Sequence, residues 1–334
     1  MEATRGCQFK CEFCLSSLDK TAWPFGLDAF LAEMETLYRR GARLYKFVDR
    51  TFNLNVRTSQ RIMQFFLDKI AANPDDPVYA HFELVPDHLP EALKETIAQF
   101  PPGALQFEIG IQSFNPDVQA LVSRRQDNAK AADNIRWLTA HSHAHLHVDL
   151  IAGLPGEDVA SFARGFDQLV ALGPHEIQFG ILKRLRGTPI IRHTAPYQMV
   201  YDPYPPYTVL ATDRIDFPTM QRLVRFARYW DLVANSGRFA HTIEVLLGDS
   251  PFASFMAFSD WMYTQLDATH RIALDRLAKL VQAWLQLRGM PAGAAAALVA
   301  SDYAGSAHKP AAKDKGAQPK PPAAPERQVR HLAA

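Results

Sequence analysis

Side chains alternate across a β-strand, so a strand shows which of its faces is buried. Four short runs of this chain are apolar on one face only. In Val78–Leu84, Ala80, Phe82 and Leu84 oppose His81 and Glu83. In Leu105–Gln112, Phe107, Ile109 and Ile111 oppose Gln106, Glu108, Gly110 and Gln112. In His145–Ile151, Leu146, Val148 and Leu150 oppose His145, His147 and Asp149. In Glu176–Leu182, Ile177, Phe179 and Ile181 oppose Gln178 and Gly180. A fifth run, Leu44–Asp49, precedes them. Helical spacing of apolar residues fills the intervals at Pro24–Arg40, Thr58–Ile70, Pro90–Phe100, Asn128–Ala140 and Asp158–Leu172. Repeated strand–helix units imply parallel strands joined by right-handed crossovers. An open doubly wound sheet, covered on both faces, needs strands apolar on both. One-sided strands suit a barrel whose outer face packs on helices and whose inner face lines a polar chamber. The expected fold is therefore α/β: a partial (β/α)6 TIM-type barrel with its first strand truncated, spanning 1–195, followed by a mostly helical extension.

The extension, 196–304, opens with a Pro- and Tyr-rich link at Tyr201–Tyr207. Helical patterns follow at Pro218–Asn235, Pro251–Asp267 and His270–Arg288. Its stripe of Phe226, Tyr229 and Trp230 reads as core. The last segment, 305–334, is rich in Ala, Pro and Lys, with six Lys and Arg against two Asp and Glu. It lacks the apolar surface to offset ordering entropy and is expected to be disordered. Of the whole chain's 334 residues, 48% are hydrophobic and the formal net charge is +1, which gives no global signal for nucleic acid. No uncharged apolar run is long enough to span a membrane, and no secretory signal opens the sequence.

All three cysteines lie in Glu2-Ala-Thr-Arg-Gly-Cys7-Gln-Phe-Lys-Cys11-Glu-Phe-Cys14, spaced C-x3-C-x2-C. An odd count packed so closely argues against a disulfide framework and for metal ligation in a reducing compartment, so the cytoplasm is the expected location. Three thiolates can hold three irons of a cubane and leave the fourth iron without a protein ligand. Structural zinc prefers four ligands, and no fourth cysteine or nearby histidine completes a set.

The spacing, with Phe13 before the last cysteine and Arg5-Gly6 before the first, resembles the radical S-adenosylmethionine (SAM) superfamily signature. Phe107-Glu-Ile-Gly-Ile-Gln-Ser-Phe-Asn-Pro116, His147-Val-Asp-Leu-Ile-Ala-Gly-Leu-Pro-Gly-Glu157 and Leu182-Lys-Arg-Leu-Arg-Gly-Thr-Pro189 resemble strand motifs of the branch with oxygen-independent coproporphyrinogen dehydrogenases and methylthiotransferases. Phe47-Val-Asp-Arg-Thr-Phe-Asn53 and His81-Phe-Glu-Leu-Val-Pro-Asp87 resemble radical SAM proteins that carry an N-terminal cobalamin-binding domain and an uncharacterised C-terminal domain. The resemblance implies a 4Fe–4S cluster on Cys7, Cys11 and Cys14 that reductively cleaves SAM to a 5′-deoxyadenosyl radical. Hydrogen abstraction, or cobalamin-linked methyl transfer or rearrangement, would follow on an unknown substrate. It implies SAM contacts from Glu83, Gln112, Arg124 and Asp149, and from Asp49 and Asn53 after the second strand. Beyond the cluster no catalytic residue is assignable. A reductant such as flavodoxin or ferredoxin is the implied partner. The cobalamin domain has no counterpart in the sequence, so cobalamin would come from a missing domain or in trans. The competing expectation is a truncated iron–sulfur module, inactive without a partner.

Two further clusters have two readings each. His143, His145 and His147 read as hydrogen-bonded histidines lining a polar barrel, or as a second metal site. Lys183, Arg184 and Arg186 read as solvated surface, or as an anion-binding patch.

Overall fold

In the computed structural model, residues 1–19, 21–306 and 325–332 are described. The chain divides into two compact units, Met1–Asp216 and, from Phe217 on, a helical unit that also includes the C-terminal helix.

The first unit is built on five parallel strands. A short antiparallel pair, β1 (Thr4–Arg5) and β2 (Trp23–Pro24), precedes them. The sheet contains β3 (Leu44–Lys46), β4 (Tyr79–Leu84), β5 (Leu105–Gln112), β6 (His145–Ala152) and β7 (Glu176–Ile181), in that spatial order. Helices α1 (Leu27–Arg39), α2 (Val56–Ala72), α3 (Glu91–Ile97), α4 (Pro116–Leu121), α5 (Asn128–His141) and α6 (Val159–Ala171) fill the connections. Spatial order follows sequence order without reversal, as barrel winding requires and as a doubly wound sheet does not. Met1 lies beside β3 in the manner of a parallel neighbour. Its amino group donates to Lys46 O (2.6 Å) and its carbonyl accepts from Val48 N–H (3.0 Å).

Burial follows the alternation. In β5 every apolar residue is buried and every polar one half-buried. The apolar face is paved with aromatics. Phe82 stacks on Phe52 at 3.9 Å and lies 4.5 Å from Phe47, and Phe66 of α2 closes the group edge-on. Helix starts are fixed by side-chain caps: Asp158 accepts from Ser161 N–H (2.7 Å), and Asn115 and Asp127 cap α4 and α5.

The first unit extends past the expected boundary at 195. A hairpin of β8 (Val200–Tyr201) and β9 (Val209–Ala211) is bonded to the end of β7 through Val209 N–H to Leu182 O (2.8 Å) and Arg184 N–H to Tyr207 O (3.0 Å). Residues 196–216 therefore pack with the sheet, because the Pro-rich link returns along it.

The second unit is all helical: α7 (Phe217–Val233), α8 (Ala240–Leu247), α9 (Pro251–Leu266), α10 (Leu274–Leu287), α11 (Ala292–Ser306) and α12 (Glu326–Leu332). Phe226 and Trp230 meet Phe255 of α9 at 4.8 and 4.9 Å, so the aromatic stripe is core. Helix α12 corrects the expectation of disorder over 305–334. Arg327 donates to Asn235 O (2.6 Å) and Asp231 (2.6 Å), and Arg330 to Ser236 O (2.6 Å). These cations satisfy carbonyls at the C-terminal end of α7, where the helix dipole favours positive charge. Residues 307–324 and 333–334 lie outside the described residues.

Candidate active site

The cysteine loop is tied down at both ends. Before Cys7, Gly6 has φ +88°, and a Cβ there would sit 1.9 Å from Thr21 O, so only glycine fits. Inside the loop, Cys14 N–H bonds Cys11 O (3.1 Å), and the Ser17 hydroxyl bonds Cys14 O (2.7 Å). Between the last two cysteines Glu12 turns inward and is 3% exposed. Its carboxylate accepts from Ser123, Arg192 and His193, the last at 2.9 Å. Its backbone bonds Val122 O and Ile190 N–H, each at 3.0 Å.

Cys7, Cys11 and Cys14 face a cavity of about 190 Å³ at the C-terminal ends of β4, β5 and β6. Glu83, Gln112, Arg124 and Asp149 line the same cavity. Burial pushes the Cys7 and Cys11 thiols up, and at Cys11 the Arg124 guanidinium opposes it from 3.6 Å. Arg124 also donates to Gly110 O and, at 2.8 Å, to Gln126. Gln112 has φ 70° at a register shift between β5 and β6, a left-handed conformation costing about 1 kcal/mol or more in a residue with a Cβ. Beside it, Gly110 leaves room for the Gln112 amide: a Cβ at 110 would lie 2.4 Å from Gln112 Nε2.

Carboxylates dominate the chamber wall. Glu83 is pushed up by burial, against which Arg50 donates to both its oxygens at 2.6 and 2.9 Å. Glu108, with His81 3.4 Å away, is lowered by that imidazole despite its burial. Asp149 is held well above the usual carboxylate range by burial, reinforced by Glu108 and Glu83 and opposed by Arg124. Among the described residues its Oδ1 has no hydrogen-bond partner; His147 Nε2 lies 3.7 Å away.

Asp49 and Asn53 do not join this cavity. Asp49 accepts from Ala3 N–H (3.0 and 3.1 Å) and Thr4 N–H (2.5 Å), which fixes the strand leading to Cys7. Asn53 is fully buried. It donates to Val85 O (2.8 Å) and His88 O and accepts from Val85 N–H (2.8 Å), which leaves its amide spoken for. Both side chains are spent on backbone, so the expectation of direct SAM contact is corrected to one of support. The histidine row also divides. His145 is buried against Glu176 (2.9 Å), His147 approaches Asp149, and His143 is exposed.

With this geometry in hand, sequence comparison is decisive: the Radical SAM superfamily profile matches residues 1–169. The chain belongs to the radical SAM superfamily. Membership in this superfamily of enzymes implies a 4Fe–4S cluster and SAM, and the donor set fits both. Three thiols share a cavity with an unpartnered Asp149 oxygen, and Gly110 admits the Gln112 amide to its wall. A protein family of unknown function, DUF4080, matches residues 195–309. The radical SAM chain is 31% identical over 95 residues to the oxygen-independent coproporphyrinogen III oxidase of Paracoccus denitrificans, covering 28% of this chain and 21% of the oxidase. It is 31% identical over 88 residues to the anaerobilin synthase of Escherichia coli O157:H7, covering 26% and 20%. The chain thus spans about a fifth of the length of each. In structure it resembles the cobalamin-dependent SAM radical enzyme OxsB at a TM-score of 0.56 and 11% identity, over 91% of this chain and 54% of that one. That likeness concerns the fold. Among the described residues no helix of this radical SAM protein is long and apolar enough to cross a membrane.

Sequence reasoning missed three members of the site. Glu108 stood on the polar face of its strand without being chosen. Arg50 lies between Asp49 and Thr51 in a segment read for its carboxylate. Glu12 sits inside the cysteine motif, where the thiol spacing carries no sign of its inward turn.

Proposed function

We propose that the protein is a radical SAM enzyme that cleaves SAM reductively at a cluster held by Cys7, Cys11 and Cys14. The observation that carries the reading is the convergence of the three thiols with Glu83, Gln112, Arg124 and Asp149 on one cavity. When bound, cluster and SAM together supply a 5′-deoxyadenosyl radical, the species that abstracts hydrogen from substrate. The chain's own residues bind and orient. Arg124, beside Cys11, offers a planar fork to the SAM carboxylate. Glu83 and Asp149 take ribose hydroxyls, Arg50 keeps Glu83 in place, and the Gln112 amide completes the polar rim. Asp49 and Asn53 hold the strand ends on which these groups stand. The one-sided strands exclude bulk water from behind while leaving the chamber polar.

Cobalamin-linked methyl transfer or rearrangement is the finer form of the proposal. Its support is the likeness of the two strand-end segments, residues 47–53 and 81–87, to proteins with a cobalamin domain; the corrin would come from outside the sequence given. The protein works in the cytoplasm with flavodoxin or ferredoxin as reductant. A second reading makes it an iron–sulfur module that acts only with a partner. It is favoured by the exposed aliphatic side chains of Leu44 and Val48, at 46% and 54%, a surface that a partner chain would cover.

The test is anaerobic reconstitution with iron and sulfide, then SAM and dithionite, with 5′-deoxyadenosine and S-adenosylhomocysteine quantified. About four irons per chain and product formation are expected, and Cys7→Ala/Cys11→Ala/Cys14→Ala should abolish both. Product persisting in the triple variant overturns the proposal; a full cluster without product favours the module.

A further inference from the structure

The basic cluster Lys183, Arg184 and Arg186 lies outside the chamber, on the surface next to the cysteine loop. Segment 184–193 packs directly on segment 12–18. Ile190 N–H bonds Glu12 O, Arg192 and His193 bond the Glu12 carboxylate, and a Cβ at Gly187 would stand 3.6 Å from Leu18. Tyr201 of β8 and Tyr207 of the hairpin connection brace the cations: Arg184 stacks over Tyr201 at 4.8 Å and Arg186 over Tyr207 at 5.2 Å. Lys183 and Arg186 are exposed, and an open cleft of about 440 Å³ runs between this loop and Pro203. The same two segments expose large aliphatic side chains: Leu15 at 48%, Leu18 at 47% and Ile191 at 59%. Leu15 directly follows Cys14. Among the described acids of these segments, Asp19 bonds the Thr21 hydroxyl, Asp202 bonds Tyr204 N–H and the buried Glu12 is held by Arg192 and His193, while Asp117 lines a neighbouring cleft with Arg192.

We infer that this face, formed by Leu15, Leu18, Lys183, Arg186 and Ile191, docks a small acidic flavoprotein of the flavodoxin type that reduces the cluster. The inference rests on the proposed cluster site. Two observations choose the occupant. The cations, in a body that is otherwise net acidic, call for a carboxylate-rich partner. The aliphatic side chains suit the apolar dimethylbenzene edge that a flavin presents at a protein surface, and they adjoin the third cysteine. One electron leaves the fully reduced flavin, which becomes its one-electron-reduced form, and enters the cluster, whose charge falls by one. No bond is made or broken.

The test uses the full chain with its cluster reconstituted and purified flavodoxin as the probe. Binding is measured by calorimetry at about 50 and 200 mM salt. Wild-type binding should weaken with salt. Lys183→Glu/Arg186→Glu should raise Kd about tenfold or more with an unchanged melting temperature. Should the reversal variant misfold, Lys183→Gln/Arg186→Gln replaces it, with at least a threefold rise expected. In parallel, dithionite-driven SAM cleavage should match wild type while flavodoxin-driven cleavage falls. Equal Kd for variant and wild type overturns the inference, as does a ferredoxin that binds this face while flavodoxin does not. Failure of cleavage with dithionite, alongside salt-sensitive flavodoxin binding lost in the variant, would sink the proposed activity and leave the docking surface standing.

Discussion

Asn53 separates a ligand from a support, and its replacement measures which it is. Its side chain makes three hydrogen bonds to the loop after β4: to Val85 O, to His88 O and from Val85 N–H. Each is worth about 1 kcal/mol net, and the buried Val85 N–H left without a partner adds about 1–3 kcal/mol. Asn53→Ala should therefore destabilise the first unit by roughly 4 kcal/mol. For a domain of about 200 residues, that lowers its melting temperature by about 10 °C. Asn53→Asp is sharper still. An aspartate keeps the acceptor for Val85 N–H but sets a carboxylate oxygen against two carbonyls, so it should cost at least as much. At a position binding the SAM amino group, aspartate would be tolerated or even tighten binding. The assay is thermal unfolding followed by circular dichroism, with SAM affinity measured on the cluster-loaded protein. An Asn53→Asp variant that melts within about 2 °C of wild type and binds SAM as tightly would refute the structural role.

Gly110→Ala should leave the fold intact, because the new Cβ meets only the end of a flexible side chain. It should displace the Gln112 amide and weaken SAM binding about fivefold, the worth of one hydrogen bond, and an unchanged Kd by calorimetry would count against Gln112 as a contact. Glu157 is buried at 2% exposure, accepts from Ser113 (2.7 Å), and is raised by burial to about 7. A folded-state value above the unfolded one means the native state binds the extra proton, so stability should fall as pH rises from about 4.5 to 7, by roughly 3 kcal/mol in total. Denaturant titrations should show this slope in wild type and its loss in Glu157→Gln; parallel curves for the two would reject the assignment. Glu12→Ala removes the bonds from Ser123, Arg192 and His193, and should make the cluster absorbance bleach several-fold faster under chelator while the second unit's unfolding is unaffected.

The barrel-like winding was legible because period-two alternation is a direct record of burial: His81, Glu83, Glu108, His147 and Asp149 are polar where the strand faces the chamber. The cysteine spacing was legible for a similar reason, since few chemistries need three thiols in eight residues. Asn53 was not, because an asparagine after a strand suits a ligand and a loop anchor equally, and only coordinates show that Val85 and His88 occupy its amide. The β8–β9 hairpin was hidden by prolines that read as a link. Helix α12 was hidden by the low-complexity stretch before it; its order comes from Arg327 and Arg330 reaching carbonyls some ninety residues away.

The charges around the cavity form one connected problem. Three cysteine thiols and four carboxylates, Glu83, Asp87, Glu108 and Asp149, border a small partly buried space where like charges repel strongly. The structure answers three of them with a basic side chain. Arg50 spans both oxygens of Glu83, His81 attends Glu108, and Arg124 lies against Cys11. Asp149 Oδ1 has no hydrogen-bond partner among the described residues, and burial together with the two neighbouring carboxylates drives it toward its neutral form. A neutral carboxyl can donate as well as accept, which suits a ribose hydroxyl better than a second anion beside Glu108 would. The two arginines are thus the hinge of the arrangement: Arg50 opposes the burial that pushes Glu83 up, and Arg124 brings positive charge to the edge of the thiol group where the SAM carboxylate is proposed to sit.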